Sequence, residues 1–136
     1  MMQEINNGHI ILDELLDIND WSKICSNYIF DEELIEMYKN KINWVSLSMY
    51  QDLTENIIEK YKDNINWFFI SVYQNLTEKI ILKYKNYVNW KCISLYQELS
   101  LDFIFKNLLH INLQNIFKNK KISKEIKKEL IKRRIM

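Results

Sequence analysis

The sequence predicts an all-α fold: a small α-solenoid of helical-hairpin repeats about 23 residues long, with an acidic N-terminal cap and a basic C-terminal helix. Three observations predict it. Trp21, Trp44, Trp67 and Trp90 follow one another at a step of 23 residues. The same step relates Tyr50, Tyr73 and Tyr96, then Gln51, Gln74 and Gln97, then Leu53, Leu76 and Leu99. Turn formers are almost missing, with one Gly and no Pro in 136 residues. That argues against strands joined by tight turns and excludes a Gly-rich phosphate loop. A chain of this length has room for one domain and one core. It reads as a cap (1–18), a run of repeats (19–117) and a basic C-terminal segment (118–136).

The elements follow in chain order. Residues 9–18, HIILDELLDI, place Ile10, Ile11, Leu15 and Ile18 among acids, the pattern of an amphipathic capping helix. Each repeat then splits into two short helices. Counting Trp as position 0, the first helix carries an apolar residue at 3, Ser at 4 in most copies and Gln at 7, all on one face. Tyr at 6 lies at the edge of that face. Trp is expected to fill the core between repeats. The second helix opens on Asp31, Thr54, Thr77, Ser100 or Ser123, all good N-cap residues. Glu32, Glu55 and Glu78 follow, where the helix dipole favours negative charge. Phe30, Leu53, Leu76 and Leu99 precede the cap, and Ile35, Ile58, Ile81 and Ile104 come four residues after it. That pair is a hydrophobic staple, and in the last copy Lys127 stands where its second member belongs. Asn40, Asn64 and Asn86 are expected to end the second helices as left-handed C-caps. Residues 118–134 read as one basic helix docking through Ile122, Ile126, Leu130 and Ile131. A helix pair this short cannot bury its apolar face alone, so neighbouring copies must complete the core.

The motif N-W-x-x-[IL]-S-x-Y-Q-x-L-[ST], followed by I-x-K-Y-K, resembles the short tandem helical repeats in proteins of nucleocytoplasmic large DNA viruses. The resemblance covers roughly residues 19–117 and rests on Trp44, Ser48, Tyr50, Gln51, Leu53, Thr54 and their equivalents in the next two copies. The first copy lacks the Tyr-Gln pair, and the fifth lacks both it and the Trp. The resemblance implies a helical-repeat fold and a viral setting, in the virion or against a host factor. It implies no catalytic residues.

Net charge is +1 overall but uneven. Residues 1–38 hold nine acids and one base, a net of −8, and residues 118–134 a net of +7. Such ends can be solvated caps, can join one copy to the next, or can bind an acidic partner. The cationic residues are Lys118, Lys120, Lys121, Lys124, Lys127, Lys128, Lys132, Arg133 and Arg134. No apolar run is long enough to span a membrane, and there is no basic leader at the N-terminus. The expected location is intracellular, in the host cytoplasm or the virion.

Residues able to carry chemistry are few. His9 and His110 stand about a hundred residues apart, so a two-His metal site is not expected. Cys25 and Cys92 lie in first helices without a His in helical reach, and read as buried thiols. The expectation is a non-catalytic chain with no cofactor, metal or small-molecule substrate. The candidate partner-binding residues are Tyr50, Gln51, Tyr73, Gln74, Tyr96 and Gln97. The glutamines have a second reading, as side chains that bond loop backbone groups. The partner is expected to be a protein or a second copy, and the alternative is a nucleic-acid adaptor using the basic helix.

Overall fold

In the computed structural model the described residues are 3–4 and 20–133. The expected cap helix over 9–18, His9 and Arg134 lie outside them. Among the described residues ten helices follow in order: α1 Trp21–Asn27, α2 Glu32–Tyr38, α3 Trp44–Tyr50, α4 Glu55–Lys60, α5 Trp67–Tyr73, α6 Glu78–Lys83, α7 Trp90–Tyr96, α8 Leu101–Lys106, α9 Leu113–Lys118 and α10 Lys124–Lys132. One short feature was not expected. Strand β1, Gln3–Glu4, pairs in parallel with β2, Tyr28–Ile29, directly after α1.

Capping explains where each helix starts. Asp31, Thr54, Thr77, Ser100 and Ser123 all accept a backbone N–H three residues on, at 2.8–3.2 Å. The odd-numbered helices are capped as well, by Asp20, Asn43, Asn66, Asn89 and Asn112 at 3.0–3.2 Å. The Asn that precedes each later Trp is therefore an N-cap, a role the sequence reading did not assign.

Helix ends differ from expectation. The second helices stop at caps Lys39, Tyr61, Tyr84 and Asn107, and the last three have φ of −113°, −109° and −121°. Asn40, Asn64 and Asn86 fall in the following turn instead. No left-handed cap is needed, because one carbonyl turns the chain. Tyr61 O accepts both Asn64 N–H (2.8 Å) and Ile65 N–H (3.0 Å), and the carbonyls of Tyr38, Tyr84 and Asn107 accept an equivalent pair.

Helices of six or seven residues are not stable alone, so burial must hold them. Position 3 supplies Ile24, Leu47, Ile70, Ile93 and Ile116, all at most 2% exposed. The second helices supply Ile35, Ile58, Ile81 and Ile104, at most 1% exposed. Trp44, Trp67 and Trp90 do not join them, being only half-buried. Each ring lies against the preceding turn, its Nε1–H donating to Lys39 O (3.2 Å), Lys62 O (2.8 Å) or Lys85 O (2.9 Å).

The chain divides into two compact units, Met1–Phe69 and Ile70–Met136, the boundary falling inside α5. In unit 1, α1 packs on α3 and Ser22 Oγ meets Ser46 Oγ at 2.8 Å. In unit 2, α7 packs on α9 and Asn115 Nδ2 donates to Lys91 O at 3.0 Å. Packing of a helix on its counterpart in the next copy is the solenoid-type repeat pattern. The basic C-terminal segment is not one helix. It breaks at residues 119–123 because Asn119 turns inward (below) and Ser123 starts α10 afresh. Leu130 and Ile122 are buried, whereas Ile131 is 60% exposed.

Candidate functional site

The Tyr-Gln pair separates in space. Gln51, Gln74 and Gln97 are 3%, 6% and 1% exposed. In unit 1, Gln51 Nε2 donates to Cys25 O (2.7 Å) and Tyr28 O (2.6 Å), and its Oε1 accepts Phe30 N–H (2.9 Å). In unit 2, Gln97 makes the same three bonds to Ser71 O, Gln74 O and Leu76 N–H, at 2.9, 2.7 and 3.0 Å. A helix leaves its last carbonyls without intrahelical donors. Each of these amides satisfies two of them at the end of the preceding copy's first helix. All three glutamines are buried and offer no surface to a partner, so of the expected set the tyrosines alone are exposed.

Serine forms a second ladder. Ser48, Ser71 and Ser94, all fully buried, accept the N–H of Asn66, Asn89 and Asn112 at 2.9–3.0 Å. The hydroxyls thereby fix the N-cap residue of the following copy. Among the described residues, no buried side-chain nitrogen or oxygen lacks a hydrogen-bond partner.

The fifth copy, which lacks Tyr-Gln, keeps the clamp by another route. Asn119 is fully buried and donates to Ser94 O (2.9 Å) and Gln97 O (2.8 Å), while its Oδ1 accepts Lys121 N–H (2.8 Å). The shorter amide does this one residue ahead of the repeat position. That shift takes the amide off the 23-residue step that relates Gln51, Gln74 and Gln97.

Tyr50, Tyr73 and Tyr96 are 49%, 54% and 41% exposed. Tyr96 lines an open pocket of about 380 Å³ in unit 2, with Leu95, Lys118, Asn119, Lys120 and Lys121. The remaining basic residues divide. Lys124, Lys128 and Lys132 are exposed on α10. Lys127 is half-buried and gives its ammonium to Asn119 O at 2.8 Å. Arg133 pairs with Glu129 at 2.8 Å and lies over the Phe105 ring at 4.6 Å. Counted by unit, unit 1 has thirteen acids against five bases, and unit 2 has fourteen bases against five acids. The nets are −8 and +9.

One ionic cluster in unit 1 is strongly perturbed. Glu36 accepts a hydrogen bond from the Tyr61 hydroxyl and lies 3.0 Å from Lys39 and 3.4 Å from Lys60. The Tyr61 hydrogen bond, helped by the two ammoniums, lowers the Glu36 pKa from 4.5 to about 2. Burial, then Glu36 itself, raises Tyr61 from 10 to about 12. A carboxyl held below its ordinary value adds stability above pH 4.5, and that stability fades as pH falls toward 2. A phenol held above its ordinary value adds stability that is complete below pH 10 and fades as pH rises toward 12. Tyr61→Phe is expected to move the Glu36 midpoint up toward 4.5, read by carboxyl carbon NMR across a pH titration. An unmoved midpoint would show that the lysines alone hold it down.

The other candidate groups are structural. Cys25 is fully buried and its thiol is pushed up to about 11 by burial. Burial raises Cys92 too, so both thiols stay protonated at neutral pH. His110 stacks on Trp90 with ring centres 4.8 Å apart, whereas Tyr38 and Tyr61, from another repeat position, lie tilted beside Trp21 and Trp44. No group of three or more His, Cys, Asp or Glu among the described residues could hold a metal ion. No helix among them is long and apolar enough to cross a membrane. Comparison with protein families, with curated proteins and with solved structures finds no match.

Proposed function

We propose that this chain is a non-catalytic protein-interaction module. The observation that carries this reading is the fate of the repeated residues. Gln51, Gln97 and the buried serines bond backbone groups of their own unit, while one repeated aromatic, Tyr50, Tyr73 and Tyr96, stays 41–54% exposed. Large aromatics with a polar tip are favoured anchors at protein interfaces. The resemblance of the repeat motif to tandem repeats of nucleocytoplasmic large DNA viruses supports a viral setting, as a virion component or a binder of a host factor. A second reading is favoured by the net charge of +9 on unit 2. It makes the chain an adaptor that also holds nucleic-acid phosphates through its lysines. Opposite net charges on the units also make a second copy a candidate partner.

One purification tests these readings together. Tagged wild type and Y50A/Y73A/Y96A are recovered side by side at low and high salt, with absorbance at 260 and 280 nm and light scattering recorded. A protein recovered with wild type and lost from the triple variant supports the module. Identical protein partners on both would remove the tyrosines from the interface. Excess absorbance at 260 nm that vanishes at high salt supports the nucleic-acid reading, and its absence at low salt counts against it.

A further inference from the structure

We propose that unit 2 carries a binding site for one nucleotide of a single-stranded nucleic acid, formed by Tyr96, Lys118, Lys120 and Lys121. The proposal rests on the nucleic-acid reading above and gives it a place and a ligand. Its starting point is a departure from the repeat. One copy earlier, the positions of Lys118, Lys120 and Lys121 hold Leu95, Gln97 and Glu98, and two copies earlier Val72, Gln74 and Asn75. In the fifth copy all three become lysine. The fold permits this because Asn119 has taken over the amide clamp from the neighbouring position. Position 120 is thereby released from the buried duty Gln97 performs, and Lys120 is exposed. Lys118 and Lys121 are exposed as well, and among the described residues no carboxylate pairs with any of the three.

These lysines line the same pocket as the exposed ring of Tyr96. Its volume of about 380 Å³ lies at the small end of the ligand-pocket range of about 300–1,000 Å³, room for one base and its phosphate. Single-strand sites combine an aromatic face on which a base stacks with cations that track the backbone. Tyr96 and the lysine methylenes supply the apolar face, and the ammoniums supply the cations. An acidic peptide would meet the same charges and ring, and the poly-glutamate competition below separates it from a nucleotide. Exposed Lys124, Lys128 and Lys132 on α10 add to the positive field that would attract a phosphate backbone to this unit.

The test is fluorescence anisotropy of the full chain with labelled oligo-dT and oligo-U of about a dozen nucleotides, a span within reported single-strand site sizes. Titrations at several salt concentrations give the slope. Binding that weakens with salt is expected. Tyr96→Ala should weaken it roughly tenfold, while Tyr96→Phe keeps it. K118Q/K120Q/K121Q should weaken it and make the slope of log affinity against log salt shallower by about 2. The control K79Q/K85Q/K91Q removes the same charge from exposed positions elsewhere in unit 2. Equal loss in the control overturns the site, and so does Tyr96→Ala binding like wild type. Competition by poly-glutamate or by duplex DNA as effective as by the single strand also overturns it. In those cases the broader nucleic-acid reading still stands. No oligonucleotide binding at low salt overturns both. Circular dichroism of each variant confirms that it is folded.

Discussion

Replacing Gln97 with leucine is expected to destabilise unit 2 by about 3 kcal/mol. The leucine fills similar space but makes none of the three hydrogen bonds. Ser71 O, Gln74 O and Leu76 N–H then lose their partner beside a side chain that is 1% exposed in the wild type. An orphaned buried group costs about 1–3 kcal/mol, and relaxation toward water trims the total. In a urea titration the midpoint of the transition that reports on unit 2 should fall by roughly 1–2 M. Gln97→Glu is a sharper probe. It keeps the shape but turns a donor toward two carbonyls into an acceptor. Its loss should be greater at pH 7 than at pH 4, where a protonated carboxyl regains one donor. A Gln97→Leu variant as stable as wild type would show that the clamp is incidental.

Ile93→Ala is expected to cost about 4 kcal/mol, within the 2–5 kcal/mol usual for truncating a buried isoleucine. Ile93 is fully buried in α7, which packs on α9, and its counterpart Ile116 is equally buried. With so little apolar area per six- or seven-residue helix, few other contacts compensate for a cavity. Leu109→Ser is the contrast. Leu109 is 99% exposed in the turn after α8, so the change should stay within about 0.5 kcal/mol. Equal urea midpoints for the two variants would contradict the placement of both residues.

Contacts within a few residues were legible without coordinates. All five caps of the second helices lie where the sequence puts them, because an N-cap bond joins groups three residues apart and needs no neighbour. The buried columns of Ile35, Ile58, Ile81 and Ile104 were legible for a similar reason, since helical spacing and the repeat step select one face. The all-α repeat fold follows from these two facts. The role of the glutamines was legible only as one of two readings, partner binding or bonding to backbone groups, and the hydrogen bonds of Gln51 and Gln97 match the second. Gln97 and Tyr96 are adjacent and equally periodic, yet one is 1% and the other 41% exposed. Helical spacing puts Gln on the apolar face and Tyr at its edge, but does not say which backbone groups the buried amide meets.

The sequence by itself determined the repeat, its two helices per copy and the uneven distribution of charge. Those properties depend on the chain's own spacing and composition. The tertiary structure alone decided that the glutamines and serines are clamps between copies, reaching partners 18 to 26 residues away. It alone decided that Trp covers a turn instead of filling the core. It also decided that Asn119 replaces Gln one residue out of step, so that three lysines meet Tyr96 in one pocket. The physical reason is common to all of these. A cap is closed by covalent neighbours, whereas the exposure of a polar side chain depends on which helix end the next copy brings beside it.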